Sequence, residues 1–311
     1  MAEPQTLLPW LLAARTPSIR YLALRQLLGR PATDPEVRVA REDMEAEGPI
    51  PLILAGQGED GHWRHERSYY TPKYTATHWS LVLLAELAAD QGTPGLRRGA
   101  AFMLSTTAAE LRHNLTQGKH GQACFWGNLL RYALQGGLHA DPTLAQIVEY
   151  LVGEAQQGWA CPWNDGLPCA WGAARALWGL AALKGQQVGR TRTAIDRGLA
   201  FLLEEHDLTQ GNYPTPGKAH PLWRRLSFPL FYQADILFVL RVVAELGALQ
   251  RPGAQAALAW LRGQRRPDGR WRGTAPFKRR TWPILLDDRE EVDRWVSCHA
   301  AWVLQRAEEQ R

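Results

Sequence analysis

Residues 57–63 read Gln-Gly-Glu-Asp-Gly-His-Trp, and residues 265–271 read Arg-Arg-Pro-Asp-Gly-Arg-Trp. Both stretches contain Asp-Gly-x-Trp, and an Asp-Gly pair is a strong signal for a tight turn. We expect each stretch to reverse the chain after a helix, with the tryptophan packed back onto the end of that helix. Residues 156–159, Gln-Gln-Gly-Trp, resemble a shortened third copy. The sequence therefore predicts a fold built from a repeated unit.

Helical periodicity surrounds these turns. Apolar residues recur at helical spacing in one set of segments, at 75–90, 122–136, 168–184, 229–247 and 293–306. A second set alternates with the first, at 94–111, 142–156, 191–206 and 252–264. Further helical segments precede both sets, at 7–14, 17–28, 35–47 and 50–57. No stretch shows sustained alternation of apolar and polar residues, so we predict an all-α fold without a sheet.

The alternation of the two sets predicts helical hairpins. Stacked hairpins bury a continuous apolar face, which an α/α toroid (a closed barrel) and an open α-solenoid both achieve. We expect a toroid of about five to six hairpins, with the open solenoid as the competing architecture. In this interpretation residues 48–311 form the toroid as one structural unit, and residues 1–47 are N-terminal helices packed on it.

The connections between the helices are of two lengths. The long connections all lead into helices of the first set, and they cover 58–74, 112–121, 157–167, 207–228 and 265–292. In a ring of hairpins alternate connections lie on opposite rims, so the long connections share one rim. Long ordered loops in compact domains are often functional. We therefore expect the functional site among these loops.

The four cysteines fall in these loops or in the helix starts that the loops lead to. Residues 124–127, Cys-Phe-Trp-Gly, recur 45 residues later as Cys-Ala-Trp-Gly at 169–172, and Cys161 lies in the intervening loop. Thiolates with a further His or Cys suit tetrahedral zinc, so a zinc site is one prediction. Inert buried thiols and redox-active thiols are two other interpretations. The candidate ligands are Cys124, Cys161, Cys169 and the pair Cys298 and His299 at the expected start of the last helix.

The Gln-x-x-x-Gly-x-Trp pattern of residues 57–63 matches the core of the QW repeat of squalene–hopene cyclases. Over residues 50–311 the chain resembles the terpenoid-cyclase and protein-prenyltransferase superfamily, in particular its small single-domain squalene-cyclase-like members from prokaryotes. The resemblance implies an α/α toroid and an isoprenoid-like substrate. The chain lacks the Asp-x-Asp-Asp acid of squalene-type cyclases, which disfavours polyene cyclisation. Prenyltransferases of the superfamily bind zinc with Asp, Cys and His, and Asp235 could supply such a carboxylate.

Basic and aromatic residues alternate in two of the long loops, where Lys218 and the segment 278–280 supply part of the charge. One interpretation is a diphosphate-binding mouth on an apolar tunnel lined by the aromatic residues, and ordinary solvated loop charge is the other. The predicted substrate-binding residues are Arg224, Arg225, Trp126, Trp171, Trp223 and Tyr232. The candidate catalytic residues are Asp235, His78 and His299. Residues 287–291, Asp-Asp-Arg-Glu-Glu, resemble an Asp-rich magnesium motif, but after Pro283 a solvated acidic turn is the better interpretation.

Composition limits the function classes. The net charge of +5, from 36 basic and 31 acidic residues, is spread along the chain, which makes nucleic acid an improbable partner and suits a small apolar ligand with an anionic head. No signal peptide and no apolar run of about 18 residues is visible, so we expect a cytoplasmic protein without a transmembrane segment. Two alternatives to an isoprenoid enzyme stay open. One is a non-catalytic binding protein with a Cys-rich structural metal site. The other is a carbohydrate-active toroid, although Asp60, Asp165 and Asp268 look like turn residues rather than a catalytic pair.

Overall fold

The computed structural model describes residues 7–205, 208–209 and 220–310, and 59% of the chain is helix. The described residues contain isolated bridges but no strands, so the predicted all-α fold is confirmed. The first helices are α1 (Leu7–Leu12), α2 (Pro17–Leu22), α3 (Pro35–Ala46), α4 (Pro49–Leu54), α5 (Thr77–Glu86), α6 (Pro94–Thr116) and α7 (Ala123–Gln135). The others are α8 (Pro142–Gln156), α9 (Ala170–Ala181), α10 (Gly189–Ala200), α11 (Ile236–Glu245), α12 (Pro252–Gly263) and α13 (Arg289–Glu309). Helices α2 and α10 continue into π-helical turns at Ala23–Leu27 and Phe201–Glu205.

Two kinds of helix alternate along the chain. Every residue of α5 is buried, and α7, α9 and α11 are buried on almost all sides. A helix that is apolar all round needs neighbours all round, and these helices contact one another in chain order, continuing to α13. Helices α6, α8, α10 and α12 instead bury one face and expose the other. The molecule therefore has a layer of buried helices covered by a layer of amphipathic ones.

The contact between α7 and α9 is the closest in the buried layer. A Cβ atom on Gly127 would collide with the backbone of Arg175, and one on Gly179 would collide with the backbone of Gly127. Only glycine at these two positions allows the helix backbones to approach this closely. The Trp-Gly pair of residues 126–127 thus has a packing role beside the cysteine.

The turn at residues 57–63 has the structure that its sequence predicts. Gly61 has a φ of 104°, which favours glycine, and the buried Trp63 returns to the preceding helix. Its indole Nε1 donates to the carbonyl oxygen of Ile53 at 2.7 Å, and its backbone N–H donates to Thr77 Oγ1 at 2.9 Å. One tryptophan therefore joins the end of α4 to the start of α5.

The turn at residues 265–271 repeats this arrangement. Gly269 has a φ of 82°, and Trp271 Nε1 donates to the carbonyl oxygen of Leu261, again ten residues upstream, at 2.8 Å. The backbone N–H of Trp271 donates to Ser297 Oγ at 2.9 Å. Here the tryptophan joins the end of α12 to α13. The two copies of the motif are thus equivalent in hydrogen bonding as well as in sequence.

The last helix corrects two predictions. Helix α13 begins at Arg289 and not at 293, because Asp288 caps it by accepting from the backbone N–H groups of Glu290 and Glu291. Cys298 and His299 therefore lie in the middle of a helix and not at its start. The solvated acidic turn expected at 287–291 is also wrong in part, because Glu290 and Glu291 form the first helical turn and Glu291 is buried.

A third correction concerns α11, which starts at Ile236 although the periodicity predicts a helix from 229. The side chain of Asp235 sets this start, since it accepts from the backbone N–H of Phe238 at 2.8 Å. The carboxylate also accepts from Ser227 N–H at 2.8 Å, which holds the preceding loop.

The N-terminal helices are joined to α13 by a buried carboxylate. Glu291 accepts from the backbone N–H groups of Arg15 and Thr16, each at 3.0 Å, and pairs with Arg294. Arg294 Nε in turn donates to the carbonyl oxygen of Trp10 at 3.1 Å. Among the helices of the described residues, none has the combination of length and apolar composition that crossing a bilayer requires.

Candidate functional site

A cavity of about 630 Å³ opens among the long loops. Four of the five long connections contribute to its wall, together with the starts of α7 and α9. We call it the thiol–aromatic cavity. Its aromatic and thiol-bearing lining consists of Tyr69, Tyr70, Cys124, Phe125, Cys161, Trp163, Cys169, Trp171, His220 and Tyr232, and Lys73 and Glu110 supply charges.

Aromatic rings form most of the cavity wall. Phe125 lies 5.7 Å from Tyr69 and 6.5 Å from Tyr70, measured between ring centroids. On the other side Trp171 packs edge-on against His220 at 4.7 Å and against Tyr232 at 6.0 Å. Such rings give a large apolar contact area with few degrees of freedom, which suits an apolar ligand.

Charged groups lie on the same aromatic wall. Lys73 Nζ lies 5.2 Å from the Tyr232 ring and 5.7 Å from the Tyr70 ring, within the range of cation–π attraction. The hydroxyl of Tyr69 donates to Glu110 Oε2 at 3.0 Å. Glu110 carries the one carboxylate among the described residues that line the cavity. A pair of carboxylates facing each other, as glycoside hydrolysis requires, is thus not found in this lining.

Two of the thiols meet where the loop 162–168 turns back. Cys161 N–H donates to Leu167 O at 3.1 Å and Cys169 N–H donates to Trp159 O at 2.8 Å, so the two cysteines stand at the base of one reversal. Both side chains line the cavity. Cys169 also caps α9, because its Sγ accepts from Gly172 N–H at 3.2 Å.

The surroundings of Cys161 and Cys124 shift the pKa values of their thiols in opposite directions. The hydrogen bond from Cys169, together with the N–H groups of Trp163 and Asn164, lowers the pKa of Cys161 to about 6 against the opposing effect of burial. Burial raises the pKa of Cys124 to about 12, and the nearby charge of Cys161 acts in the same direction. The surroundings therefore favour ionisation of Cys161 and oppose ionisation of Cys124.

The cavity gathers five of the predicted site residues: Cys124, Cys161, Cys169, Trp171 and Tyr232. The other predicted substrate-binding residues do not line it. Trp126 is fully buried and packs edge-on against Phe125 at 4.9 Å. Trp223 is buried with its Nε1 donating to Leu208 O at 2.7 Å.

The basic residues expected at the mouth are also outside its lining. Arg224 and Arg225 are exposed, and Arg224 Nε donates to Thr209 O at 2.9 Å. Lys218, which completes this predicted basic loop, lies outside the described residues.

The three candidate catalytic residues are buried behind or away from the cavity. His78 stacks on Phe125 at 4.6 Å, and burial lowers the pKa of His78 to about 3, so its ring is neutral. Asp235 and His299 line a separate narrow space beside Phe228. Burial raises the pKa of Asp235 to about 7 and lowers the pKa of His299 well below its usual value.

Cys298 is fully buried within α13, and burial raises the pKa of its thiol to about 12. The structure therefore brings three cysteines to one cavity and leaves the fourth outside its lining. Over residues 7–205, 208–209 and 220–310, no three His, Cys, Asp or Glu side chains are grouped so that they could hold a metal ion. The zinc site stays a prediction.

Several residues that line the cavity were not predicted from the sequence. Tyr69, Tyr70 and Lys73 stand in a predicted long loop, where the Tyr-Tyr pair is a signal that could have been used. Glu110 lies on α6, and nothing in its local sequence separates it from a solvated helix residue. Trp163 is 90% exposed at the edge of the cavity, which is unusual for a tryptophan in a folded protein.

A second cavity, of about 670 Å³, lies at the other ends of the buried helices. Its wall is more polar, and it includes Glu86 and Arg241, which pair at 2.9 Å. Glu86 also pairs with the fully buried Arg175 at 3.5 Å, whose guanidinium lies 3.8 Å from the Phe238 ring. Because Glu86 pairs with both guanidinium groups, this group joins α5, α9 and α11.

No protein-family model, no curated protein and no solved structure matches this chain. The resemblance to terpenoid cyclases therefore rests on the sequence motif and stays a prediction.

Proposed function

We propose that this chain is an enzyme that binds a small apolar ligand of isoprenoid type in the thiol–aromatic cavity. The observation that carries the proposal is the cavity itself, whose aromatic walls surround the thiol of Cys161. Its volume falls in the range of about 300–1,000 Å³ that small-molecule sites occupy. In this proposal the rings hold the hydrocarbon part of the ligand by burial, and Cys161 reacts with it.

The charge at the cavity supports a ligand with an anionic head. Lys73 forms no ion pair within the described residues, and its ammonium group lies above two tyrosine rings. An anionic group bound there would meet a positive charge that no ion pair within the described residues compensates. Lys73 takes the place that the sequence assigned to Arg224 and Arg225.

The thiolate supports an enzyme rather than a passive binding protein. Cys161 lines the cavity, and its sulfur accepts hydrogen bonds that stabilise the negative charge. A thiolate is a strong nucleophile. We therefore assign to Cys161 the attack on C1 of an allylic diphosphate, in which a carbon–sulfur bond forms while the carbon–oxygen bond to the diphosphate breaks and the diphosphate leaves.

We also propose that the fold is the α/α toroid of the terpenoid-cyclase and prenyltransferase superfamily. Two features support this: buried helices that contact in chain order, and two tryptophan turns with equivalent hydrogen bonds. The toroid would place the thiol–aromatic cavity at one rim of the ring and the polar cavity at the other.

Zinc binding is a second candidate, favoured by the presence of Cys124, Cys161 and Cys169 around one cavity. The described residues do not converge closely enough to form a ligand set as they stand, so no step of the proposed chemistry uses a metal. Metal analysis of the purified protein decides this candidate: one zinc per chain, lost in Cys161→Ser, supports it, and substoichiometric metal rejects it.

Titration with farnesol and farnesyl diphosphate, followed by calorimetry, tests the ligand class. We expect saturable binding that weakens about tenfold or more in Trp171→Ala, because that ring is part of the wall. Trp260→Ala is the matched control, since Trp260 is a partly buried tryptophan on α12 and does not line the cavity. Absence of saturable binding to the wild type, or equal weakening in both variants, contradicts the proposal.

A further inference from the structure

Cys161 and Cys169 differ in accessibility although they stand at the base of the same chain reversal. Cys161 is partly exposed towards the cavity, whereas Cys169 is buried at the start of α9. Backbone hydrogen bonds from Cys161 to Leu167 and from Cys169 to Trp159 hold the two cysteines on neighbouring stretches of this reversal. A partly exposed thiol thus lies next to a buried one, and both line the cavity.

We propose that Cys161 and Cys169 form a reversible oxidation site, in which a hydroperoxide oxidises Cys161 and Cys169 then closes a disulfide with it. The roles follow from position. Cys161 lines the cavity through which a small oxidant arrives, and it is the partly exposed one of the two. Cys169 is its neighbour across the reversal and is therefore the thiol that resolves the oxidised form.

The chemistry proceeds in two balanced steps. The Cys161 thiolate attacks one oxygen of the hydroperoxide, so that a sulfur–oxygen bond forms, the oxygen–oxygen bond breaks, and the released alkoxide takes a proton to become an alcohol. The Cys169 sulfur then attacks the resulting sulfenic acid. A sulfur–sulfur bond forms, the sulfur–oxygen bond breaks, and hydroxide leaves with the Cys169 proton as water. The two thiols have supplied two electrons, which an external dithiol returns by exchange.

Cys124 is the competing partner, and the geometry disfavours it. Cys124 lines the same cavity, but it belongs to α7. Cys161 and Cys169 instead stand side by side on one hydrogen-bonded reversal, which keeps Cys169 next to Cys161 throughout the reaction.

A disulfide would also change the mouth of the cavity, because it closes the base of the loop that carries Trp163. Loss of isoprenoid binding on oxidation would follow, and this consequence rests on the proposed function. The disulfide itself does not, since it needs only the two sulfurs and a peroxide.

The test begins with reduced wild-type protein treated with hydrogen peroxide, after which free thiols are blocked and peptides are mapped by mass spectrometry. We expect one disulfide, between Cys161 and Cys169, that dithiothreitol reverses. In Cys169→Ser the reaction should stop at a sulfenic acid on Cys161 that dimedone traps. In Cys161→Ser, oxidation of Cys169 should be at least about tenfold slower.

Cys298→Ser is the matched control, because it removes a buried cysteine outside the cavity, and its oxidation should proceed as in the wild type. A disulfide to Cys124, dimedone on Cys169 in the wild type, or no disulfide at all overturns the proposal. The wild-type map needs no variant, so a variant that misfolds does not obscure the result. A disulfide in protein that binds no isoprenoid supports the oxidation site and removes the proposed function alone.

Discussion

Asp235 is a buried residue that caps a helix, a role that its sequence context does not indicate. Its two oxygens accept from Ser227 and Phe238, and these bonds define the start of α11. Desolvation nevertheless dominates, and the pKa of Asp235 rises to about 7. The carboxyl group was a candidate acid or zinc ligand on sequence grounds, whereas in the structure it is the cap of a buried helix.

The raised pKa of Asp235 predicts a pH-dependent stability. The folded state binds this proton more tightly than the unfolded state, whose aspartate has a pKa of about 3.9. The stability that protonation of Asp235 gives to the folded state is therefore fully present below about pH 4, and it is lost as the pH rises towards 7. Urea unfolding of wild type and Asp235→Asn between these values should show the wild type losing stability relative to the variant. A difference that is constant with pH, or that has the opposite sign, contradicts this assignment.

Trp63 shows how a single residue fixes the position of a helix, because its hydrogen bonds join the end of α4 to the start of α5. Trp63→Phe removes the indole N–H from Ile53 and should cost about 1–3 kcal/mol of unfolding free energy. Trp63→Ala also empties a fully buried site and should cost about 3–5 kcal/mol. Chemical denaturation measures both values.

The control for these variants is Trp163→Ala, which removes a tryptophan that is 90% exposed. It should change stability by no more than about 0.5 kcal/mol. Equal losses in Trp63→Ala and Trp163→Ala would show that the turn does not hold the helices together.

At the scale of elements, helix α8 shows what local signals can predict. The periodicity gives 142–156, and the structure has Pro142–Gln156, with Asp141 as cap and proline at the first position. The start of α13 was predicted wrongly from the same kind of signal, because Asp288 and its two glutamates were interpreted as a loop. Their capping role depends on Glu291 being buried against Arg15 and Thr16, which are some 275 residues away in sequence.

The cavity was only partly predictable for a related reason. The repeat spacing indicated that Cys124 and Cys169 lie near each other, since equivalent positions on neighbouring hairpins are adjacent. The contribution of Glu110 and Lys73 depends on how loops fold across helix ends, and periodicity carries no information about that. The buried pairing of Glu86 with Arg175 is likewise a tertiary contact between distant helices.

At the scale of the whole molecule, Glu291 joins the two ends of the chain. Glu291→Ala leaves the backbone N–H groups of Arg15 and Thr16 without this acceptor and Arg294 without its buried partner, and should cost about 3–5 kcal/mol. Hydrogen exchange should accelerate over residues 7–27. Glu308→Ala is the matched control, because it removes an exposed glutamate near the other end of the same helix and should change stability by about 0.5 kcal/mol or less. Unchanged exchange in Glu291→Ala would mean that the N-terminal helices are held by other contacts.

Two large cavities lie at opposite ends of the buried helices, and the proposed ligand belongs in one of them. One is lined mainly by aromatic rings and thiols, and the other is more polar. An apolar ligand is expected in the first, because its rings offer more apolar surface against which the hydrocarbon can be buried.

Photo-crosslinking with a benzophenone-bearing farnesyl probe, followed by peptide mapping, tests this location most directly. We predict crosslinks at Tyr69, Tyr70 or Phe125 and within residues 161–171, suppressed by excess farnesol. Crosslinks confined to the walls of the polar cavity, around Arg131, Trp178 and Trp302, would contradict the account, as would labelling that farnesol does not suppress.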